Sequence, residues 1–461
     1  MKRIAIVGGG ISGLTAAYEL ELARKRGLPI DWHLYEASDR LGGIIETTRI
    51  AAPEGELGEW ILEGGPDGWV SEKPWARELA IELGLESELI YSNDATRKTY
   101  ILIDSKLQPI PDRMRMMVPE DLSALEGSPL FSDAAKKAYA DEVTRADQLK
   151  ASAPDHDESV ADFVRRHFGD EVLDTLAAPL LSGVFGGDVH KLSVRAVMPQ
   201  FVTMERERGS LIAALQARAH QRTHAVQPIF TSLRRGTESL GEALVAQLPN
   251  DRIQLQSKVS RLMDINFDQV IVATSLEGTR SLLQQLSADL AALLPIEASS
   301  AVLAAFAWSE ETARSFAIPP GFGCLVPGGS VDEEQLLACT FVDQKFSHRA
   351  PDGARVMRAF FGGRSAEALE GRSDEVIALC ALEQLRDILG PIPEPAFQTV
   401  RRWPRSLPQY EVGHLERIER LEAMVAQIPG LHLLGNSYRG VGIPDLVRDA
   451  RATARAIALA C

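Results

Sequence analysis

Residues 4–13 read IAIVGGGISG, an apolar run that passes directly into a glycine-rich turn. Ile4–Val7 is typical of a buried parallel strand, because such strands are continuous apolar runs rich in β-branched residues. The glycines fit G-x-G-x-x-G: Gly8 permits a tight turn, Gly10 lets the backbone approach a pyrophosphate, and Gly13 allows a helix to pack closely on the strand. This stretch predicts a nucleotide-binding β–turn–α unit at the start of the sequence.

The helix of this unit is predicted to begin at Ile11 and Ser12. Residues 14–26 keep the apolar spacing of a helix, and Gly27 provides its stop. The N-terminus of such a helix presents unpaired N–H groups and the positive end of the helix dipole. Both features suit the phosphates of a dinucleotide.

An acidic residue ends the next predicted strand. Ile30–Tyr35 is followed by Glu36, which lies 23 residues beyond Gly13. A carboxylate there accepts hydrogen bonds from the hydroxyls of an adenosine ribose and repels a 2′-phosphate. Strand, glycines, helix and acid together predict a dinucleotide site.

The choice between NAD and FAD depends on the residues after Glu36 and Ala37. Arg40, Gly42 and Gly43 form an R-x-G-G motif. An arginine can pair with the pyrophosphate, and glycines let the backbone lie against the ligand. The second glycine pair resembles that of the large family of FAD-dependent oxidases, whereas in NAD enzymes this position is usually a plain turn between strand and helix. The resemblance therefore favours FAD.

The composition is that of an ordinary globular protein. The 461 residues are 45% hydrophobic and 25% charged, which excludes a disordered chain, a collagen-like fibre and a disulfide miniprotein. At ~150 residues a domain, the length predicts roughly three domains. The 49 Lys and Arg residues against 64 Asp and Glu give a net charge of -15, which disfavours a broad nucleic-acid surface.

The cysteines and the apolar runs indicate a cytoplasmic protein. No C-x-x-C is formed, so we interpret the cysteines as thiols in a reducing compartment: Cys324, Cys339, Cys380 and Cys461. No run approaches the ~18 uninterrupted apolar residues of a membrane-spanning helix. Lys2 and Arg3 before an apolar run resemble a signal peptide, but the nucleotide-binding turn explains the glycines better.

A second glycine-rich turn lies near the other end of the sequence. Leu431–Leu434 predicts a strand that leads to Gly435, and Val441, Gly442 and Ile443 precede a helix with apolar residues on one face. The end of such a helix, aimed at a flavin ring, would stabilise negative charge on the reduced flavin. A plain core helix with a glycine-rich entry is the alternative.

These motifs, taken together, resemble the protoporphyrinogen/coproporphyrinogen oxidase family of FAD-dependent enzymes. The resemblance runs along nearly the whole chain, and the later blocks are more specific than the glycine fingerprint. The matching blocks are Ile6–Leu14 (IVGGGISGL), Tyr35–Gly43 (YEASDRLGG), Glu63–Asp67 (EGGPD), Pro179–Gly183 (PLLSG), Gly321–Pro327 (GFGCLVP), Phe360–Gly363 (FFGG), Arg402–Tyr410 (RWPRSLPQY) and Gly440–Asp445 (GVGIPD).

The resemblance implies an α/β fold, α+β overall, with three parts. A Rossmann-like FAD-binding domain would be built from the discontinuous segments 1–68, 225–280 and 428–461. A mixed-sheet substrate-binding domain would take 69–95 and 281–427, and a helical lobe would take 96–224.

The family likeness also implies the cofactor contacts. Besides the residues of the glycine turns, it adds Gly64, Gly65, Pro66, Asp67, Val259 and Ala273. An acid at Asp67 resembles the soluble bacterial group, many of which act on coproporphyrinogen III, whereas some membrane-bound relatives carry Arg. We name no catalytic base, because the flavin carries the chemistry.

The expected substrate is a broad apolar disc with anionic propionates. Phe322, Leu325 and Phe360 match the family residues that hold the ring, although each also suits an ordinary core. For the propionates the basic candidates are Lys73, then Arg97 with its neighbour Lys98, and Arg439. A single basic residue is more often a solvated surface group.

Two further patterns carry weaker hypotheses. His220 and His224 stand four apart, which on a helix is metal-ligand spacing, but no third ligand lies nearby in the sequence and we predict no metal. The apolar run Met114–Val118, interrupted only by Arg115, would form an exposed patch, and we hypothesise that this patch makes a weak peripheral membrane contact.

The sequence thus predicts an FAD- and O2-dependent oxidase of coproporphyrinogen III in haem biosynthesis, with ferrochelatase as a handover partner from pathway logic. The alternatives are a protoporphyrinogen IX oxidase, a flavin amine oxidase, and a flavin-binding carrier that holds porphyrin without turnover.

Overall fold

A computed structural model describes residues 1–52, 58–221, 228–264, 266–328 and 334–460 of the protein. Within these ranges the strands are β1 (Lys2–Val7), β2 (Ile30–Tyr35), β3 (Thr47–Ala51), β4 (Glu59–Glu63), β5 (Trp69–Val70), β6 (Leu89–Tyr91), β7 (Thr99–Ile103), β8 (Lys106–Pro109), β9 (Met114–Arg115), β10 (Val118–Pro119), β11 (Phe230–Leu233), β12 (Ile253–Gln254), β13 (Gln269–Val272), β14 (Ala298–Trp308), β15 (Gly323–Leu325), β16 (Ala338–Phe341), β17 (Arg355–Gly362), β18 (Phe397–Pro408) and β19 (Leu431–Leu433).

The α-helices of the described residues are α1 (Ile11–Lys25), α2 (Trp75–Glu82), α3 (Asp133–Thr144), α4 (Ala146–Ala151), α5 (Val160–Phe168), α6 (Asp170–Val172), α7 (Ala178–Phe185), α8 (Val194–Val197), α9 (Pro199–Arg208), α10 (Leu211–Gln221), α11 (Glu238–Ala246), α12 (Leu276–Leu286), α13 (Ala288–Ala292), α14 (Glu310–Ala313), α15 (Val342–Lys345), α16 (Gly363–Leu369), α17 (Asp374–Leu389), α18 (His414–Val425) and α19 (Ile443–Leu459). A π-helical turn, Leu173–Ala177, joins α6 to α7.

Local sequence sets where several of these helices begin. A serine side chain accepts a hydrogen bond from the helix backbone at the start of α3, α5, α8, α12, α14 and α17. Such caps satisfy N–H groups that have no partner inside the helix. At α1 and α19 the position before the helix is glycine, Gly10 and Gly442, and no described side chain caps either end.

A five-stranded parallel sheet in the order β12-β2-β1-β13-β19 forms the first layer. Its strands come from segments far apart in the chain, as expected for a Rossmann-like domain. The neighbouring helices α1, α11 and α19 bury their apolar faces in one core with β1 and β2. The predicted fold class is confirmed.

A seven-stranded mixed sheet in the order β18-β14-β17-β16-β15-β7-β8 forms the second layer. Most neighbours in it are antiparallel, whereas β15 and β7 are parallel. One face is covered by α17, and the other packs on Trp60 and Leu62 of the β3–β4 hairpin. Helices α3, α5, α9 and α10 enclose a separate apolar core with α7.

The structure differs from the expected division at residues 99–109. These residues are expected in the helical lobe, but β7 and β8 are part of the seven-stranded sheet. The segment TYILI of β7 suits a strand by composition. Which sheet it joins is decided by its pairing with β15, far along the chain, and no local pattern encodes that pairing.

The apolar run Met114–Val118 is not the exposed patch that the sequence analysis expects. The side chains of Met117 and Val118 are fully buried in the core of the helical region. Arg115 pairs with Glu72 at 3.1 Å. In the described part of the chain, no helix is long and apolar enough to cross a membrane.

Candidate functional site

The predicted cofactor residues meet at one edge of the parallel sheet. Gly8 follows β1, Glu36 follows β2, Ala273 follows β13 and Gly435 follows β19. Because all four strands are parallel, their carboxyl ends share one edge, which is where ligands bind in open α/β sheets. Val259 lies in the segment after β12, which hydrogen-bonds to the chain beside Glu36.

Gly8 and Gly13 have no room for a side chain. A Cβ on Gly8 would overlap the carbonyl oxygen of Ala273, and one on Gly13 would overlap the carbonyl oxygen of Gly8. Gly8 also has φ +110°, a conformation that side chains rarely adopt. The turn into α1 therefore depends on these glycines, as the sequence predicts.

The start of α1 faces the second glycine pair. Gly10 forms a bridge with Gly42, and Gly43 lies against Gly10 with φ +62°. A Cβ on Gly10 would have its nearest neighbour, the Cα of Gly43, 3.9 Å away, so the backbone here is open to a ligand. Ile11 and Ser12 follow at the first turn of α1, whose free N–H groups suit a phosphate.

Glu36 is engaged with the turn but keeps acceptor capacity. One carboxylate oxygen accepts from the N–H of Gly9 at 2.6 Å, and the other accepts from the N–H and hydroxyl of Ser38 at 2.8 Å. Two carboxylate oxygens offer about four acceptor sites, so room remains for a ribose hydroxyl. Ala37 beside it is exposed.

Arg40 is directed at its own loop. Its guanidinium donates to the carbonyl oxygens of Leu41, at 3.0 Å, and Gly43, and it lies 3.3 Å from Glu46. These bonds shape the loop that carries the glycine pair. The pyrophosphate contact that the sequence analysis assigns to Arg40 stays a prediction.

The segment Gly64–Asp67 is clamped between the two layers. A Cβ on Gly65 would overlap the carbonyl oxygen of Ile44, so this segment lies against the loop of the glycine pair. From the large sheet, Trp403 donates its ring N–H to the carbonyl oxygen of Gly64 at 2.6 Å, and Arg358 donates to that of Gly65. The segment therefore has little freedom to move.

Asp67 is an ion-paired residue of the interior. Both of its carboxylate oxygens accept from Lys345 at 3.0 Å, and Arg358 lies 3.4 Å away. Burial alone would raise the pKa of Asp67, but the charges of Lys345 and Arg358 outweigh burial and lower it to about 2. Its carboxylate is thus occupied by protein cations, whereas the sequence analysis expects a flavin contact from this position.

Two aromatic side chains hold the loop before α19. The hydroxyl of Tyr410 donates to the carbonyl oxygen of Asn436 at 2.6 Å and accepts from the N–H of Gly440 at 3.0 Å. His414 stacks on Tyr410 with ring centroids 3.9 Å apart and bonds to the carbonyl oxygen of Tyr438 at 2.7 Å. Burial lowers the pKa of His414 to about 4, so it is neutral at pH 7.

That loop positions the start of α19. Val441, Gly442 and Ile443 lie at its first turn, and Pro444 follows within the turn. The helix packs along α1, so the N-termini of both helices belong to the same domain. The structure brings the two glycine-rich turns together, although they lie at opposite ends of the sequence.

Leu325 and Phe360 share one face of the seven-stranded sheet. The register places Ile101, Leu325, Ala338, Phe360 and Leu303 side by side on neighbouring strands. Residues directly opposite in a sheet point to the same face. This apolar row lies on the face opposite α17, and Gly183 of α7 packs on Leu325.

Phe322 lies just before β15, where its carbonyl oxygen accepts from the N–H of Phe341 at 2.9 Å. It is buried, as are Leu325 and most of Phe360. The structure brings Leu325 and Phe360 into one row and places Phe322 outside it. Their contact with a substrate stays a prediction.

Two of the basic candidates are engaged by carboxylates of their own, although Arg448 links Asp445 to the carbonyl oxygen of Arg439. Lys73 lies 2.6 Å from the carboxylate of Asp445 on α19, and Arg439 lies 2.6 Å from Glu422 on α18. Arg97 and Lys98 are exposed. No single cationic pocket is formed by these residues in the described structure.

The two histidines with metal-ligand spacing, His220 and His224, are largely outside the described residues. The residue His224 and the side chain of His220 lie outside the described residues. Within the described ranges, no group of three or more His, Cys, Asp and Glu side chains is placed to hold a metal ion.

Seven residues that support the site are not among the predicted ones; three lie in the large sheet, and the others lie in or next to α15, β18 and α18. The seven are Lys345, Arg349, Arg358, Arg401, Trp403, Tyr410 and His414. Three of them, Arg401, Trp403 and Tyr410, lie in or next to the family block RWPRSLPQY, for which the sequence alone predicts no role in the site. For Arg401 and Trp403, the sequence signal that could have indicated a role was a tryptophan next to two arginines within one strand.

The residues at the sheet edge fit FAD. Glycines without room for side chains, two uncapped helix N-termini and a carboxylate with a free acceptor site are the groups that a dinucleotide needs. The apolar row of the second sheet is largely covered by protein: Ile101, Leu303, Leu325 and Ala338 are at most 9% exposed, and Phe360 is partly buried.

Comparison with known proteins agrees with this description. The family model for flavin-containing amine oxidoreductases matches residues 11–458. The chain is 33% identical to coproporphyrinogen III oxidase of Bacillus subtilis (strain 168), with 98% of this chain and 97% of that protein covered. It is 26% identical to chloroplastic protoporphyrinogen oxidase 1 of Arabidopsis thaliana, with 97% and 86% covered.

Among solved structures, one relative comes from Exiguobacterium sp. 255-15 and is provisionally assigned as a protoporphyrinogen oxidase. It superposes with a TM-score of 0.84 at 31% identity, covering 100% of this chain and 99% of that one. Reduced UDP-galactopyranose mutase superposes with a TM-score of 0.68 at 14% identity, which shows a shared fold alone.

Proposed function

The chain belongs to the family of flavin-containing amine oxidoreductases, and we propose that it oxidises coproporphyrinogen III to coproporphyrin III with O2 as the electron acceptor. The observation that carries the proposal is the full-length likeness to the Bacillus subtilis coproporphyrinogen III oxidase. The apolar row beside the glycine-lined edge supports it, since a porphyrinogen is a broad and largely apolar disc.

Bound FAD supplies a two-electron oxidation, so the six-electron conversion takes three rounds, each of which reduces one O2 to H2O2. The residues of this chain position the reactants. In this proposal the macrocycle contacts the accessible edge of the apolar row, at Leu325, which is 8% exposed, and at the partly buried Phe360. Holding two reactants in a fixed geometry removes much of the entropic barrier to their reaction.

The propionates of the substrate need cations at the rim of the site. Lys73 is our first choice because its ion pair with Asp445 places it beside the start of α19. The exposed Arg97 and its neighbour Lys98 come next, and Arg439, which lies just before α19 and pairs with Glu422, is a further candidate. Coproporphyrinogen carries two more propionates than protoporphyrinogen IX, which makes these cations the residues that discriminate the two.

Porphyrin fluorescence in air tests the proposal, with purified FAD-loaded protein and equal concentrations of coproporphyrinogen III and protoporphyrinogen IX. We expect faster turnover of coproporphyrinogen III and stoichiometric H2O2. Preference for protoporphyrinogen IX would move the protein to the activity named for its plant relatives. Peroxide from simple amines without porphyrin formation would favour the amine oxidase, and tight porphyrin binding without turnover would favour the carrier.

The proposal includes a cytoplasmic location and a handover of product to ferrochelatase. The location rests on the sequence, which forms no C-x-x-C. Cys324 and Cys339 are buried thiols on neighbouring strands, with their Sγ atoms 3.0 Å apart. Mixing the protein with purified ferrochelatase tests the handover. A metal-porphyrin product that forms without a lag, and faster than from free porphyrin, is the expected result; equal rates would contradict it.

A further inference from the structure

A group of buried charges lies where the two layers meet. We call Glu63, Asp67, Lys345, Arg349 and Arg358 the buried charge cluster. Glu63 and Arg349 are fully buried, Arg358 is 2% exposed and Lys345 is 8% exposed. Asp67 joins Lys345 to Arg358, and Arg349 lies 3.2 Å from Glu63 and donates to the backbone oxygen of Asp67 at 3.3 Å.

The charges of this cluster do not balance. Three cations face two carboxylates, which leaves one positive charge in excess. Glu238 meets the cluster through Thr47, which bonds to both Glu238 and Glu63, and it is partly exposed. Asp343, two residues before Lys345, accepts from the backbone N–H of Val356 and forms no ion pair with the three cations in the described structure. A buried charge without a counter-charge strongly destabilises the fold, as is measured when one partner of a buried ion pair is removed. The excess positive charge in the interior therefore points to a bound anion in the functional protein.

Unsatisfied donors point the same way. Within the described structure, Nε and Nη1 of Arg349 and Nε of Arg358 are buried and have no hydrogen-bond acceptor. Arginine stays protonated in proteins, so these donors cannot be removed by titration. Buried polar groups in native proteins are nearly always paired.

The cluster touches both parts of the candidate site. Arg358 donates to the carbonyl oxygen of Gly65, within the segment clamped against the glycine pair. Its guanidinium carbon also lies 4.8 Å from the centre of the Phe360 ring, in the apolar row. Arg358 thus lies between the residues assigned to the cofactor and those assigned to the substrate.

We propose that the excess positive charge of the buried charge cluster stabilises the negative charge of the reduced flavin. Lys345, Arg349 and Arg358 would then raise the midpoint potential of the bound flavin through their charge, without contacting the substrate. The proposal rests on FAD binding and not on which porphyrinogen is oxidised. A substrate propionate is the other source of an anion, and a measurement without substrate separates the two.

The test is the midpoint potential of protein-bound FAD, measured against a reference dye without porphyrinogen. Arg358→Gln removes a cation, and we expect a more negative potential. Asp67→Asn removes a carboxylate of nearly the same shape, and we expect a more positive potential. A purely structural role would not give shifts of opposite sign.

Arg355→Gln is the matched control. Arg355 lies three residues from Arg358 on the same strand and also has buried Nε and Nη1 atoms without an acceptor in the described structure. Its guanidinium, however, packs on Phe316 at 5.2 Å, on the face covered by α17 and outside the buried charge cluster. We expect no shift from this variant. If Arg358→Gln fails to fold, Lys345→Gln should give the same negative shift.

Unchanged potentials in the cluster variants, or shifts of one sign for both Arg358→Gln and Asp67→Asn, would overturn the proposal. So would a raised KM for porphyrinogen with an unchanged potential, since the anion would then be the substrate. These outcomes are separate from the proposed function, because the potential is measured whether or not coproporphyrinogen III is the substrate.

Discussion

The ammonium nitrogen of Lys73 lies 2.6 Å from a carboxylate oxygen of Asp445, at the first turn of the C-terminal helix α19. Asp445 is almost fully buried and is also contacted by Arg448 at 3.2 Å, whereas the Lys73 side chain is 43% exposed. The pair ties the loop after β5 to the helix whose start belongs to the cofactor site. Lys73 therefore has a fixed position from which one side of its ammonium group is open.

Replacing Lys73 with Gln tests its proposed contact with a propionate. We expect KM for coproporphyrinogen III to rise about threefold to tenfold, or ~0.7–1.4 kcal/mol, because a partly exposed charge contact is screened by water. The turnover number should change little. Lys106→Gln, which removes an exposed lysine of β8, is the control and should leave KM unchanged. A fall in turnover at constant KM would contradict the assignment.

Shortening Leu325 tests the apolar row. Leu325→Ala removes contact area worth ~1–2 kcal/mol, so we expect about a tenfold loss of kcat/KM for the porphyrinogen. Val326→Ala removes a buried side chain from the neighbouring position, in the core that faces α17. That control should lower thermal stability but not kcat/KM. Equal losses of activity in both variants would argue against a substrate role for the row.

Removing one hydroxyl group tests how α19 is positioned. Tyr410→Phe loses the bonds to Asn436 and Gly440 and leaves backbone groups unpaired, at ~1–3 kcal/mol for a buried group. We expect flavin fluorescence to appear at a lower temperature on heating, since the loop before α19 loosens. Tyr91→Phe, at a tyrosine that is 40% exposed, serves as the control. Unchanged flavin release in Tyr410→Phe would contradict this role.

A methyl group at Gly13 should prevent FAD binding. The Cβ of Gly13→Ala would overlap the carbonyl oxygen of Gly8, so the turn cannot keep its shape. We expect the purified variant to lack the yellow colour of bound flavin. Gly241→Ala, in α11, meets nothing within 4 Å and should retain full flavin content. Normal flavin content in Gly13→Ala would show that the site lies elsewhere.

The stability of the helical region should depend on the protonation of His167. This buried imidazole lies 3.1 Å from Glu142 at one nitrogen and 3.1 Å from Glu205 at the other. Burial alone would lower the pKa of His167, but the hydrogen bonds to the two carboxylates outweigh burial and raise it. A group whose pKa is raised on folding stabilises the fold below its unfolded pKa, about 6.5, and this stability is lost as pH rises through the folded pKa.

We therefore expect the difference in unfolding temperature between the wild type and His167→Gln to be largest at acidic to neutral pH and to shrink at alkaline pH. Differential scanning calorimetry from pH 6 to pH 9 measures it, with the exposed His190→Gln as control. A difference that stays constant over this range would mean that His167 acts by packing alone.

The sequence by itself determined the nucleotide-binding unit, the FAD preference and the turn before α19. Gly8 and Gly13 could be recognised from the sequence because the turn itself requires glycine at both positions. Gly8 has φ +110°, and a Cβ on Gly13 would overlap the carbonyl oxygen of Gly8 in the same turn. The bounds of β2 and the start of α19 follow from apolar spacing and a proline in the first turn in the same way.

Only the tertiary structure decided which charged side chains form ion pairs with one another inside the protein. Asp67 is 278 residues from Lys345, and Lys73 is 372 residues from Asp445. Met116 and Met117 are adjacent and identical in the sequence, yet Met117 is fully buried and Met116 is only partly buried. Arg115, in the same run, pairs with Glu72. A carboxylate or an ammonium group carries no local mark of its partner, because the energy of a buried charge depends on which groups the fold brings within a few ångströms.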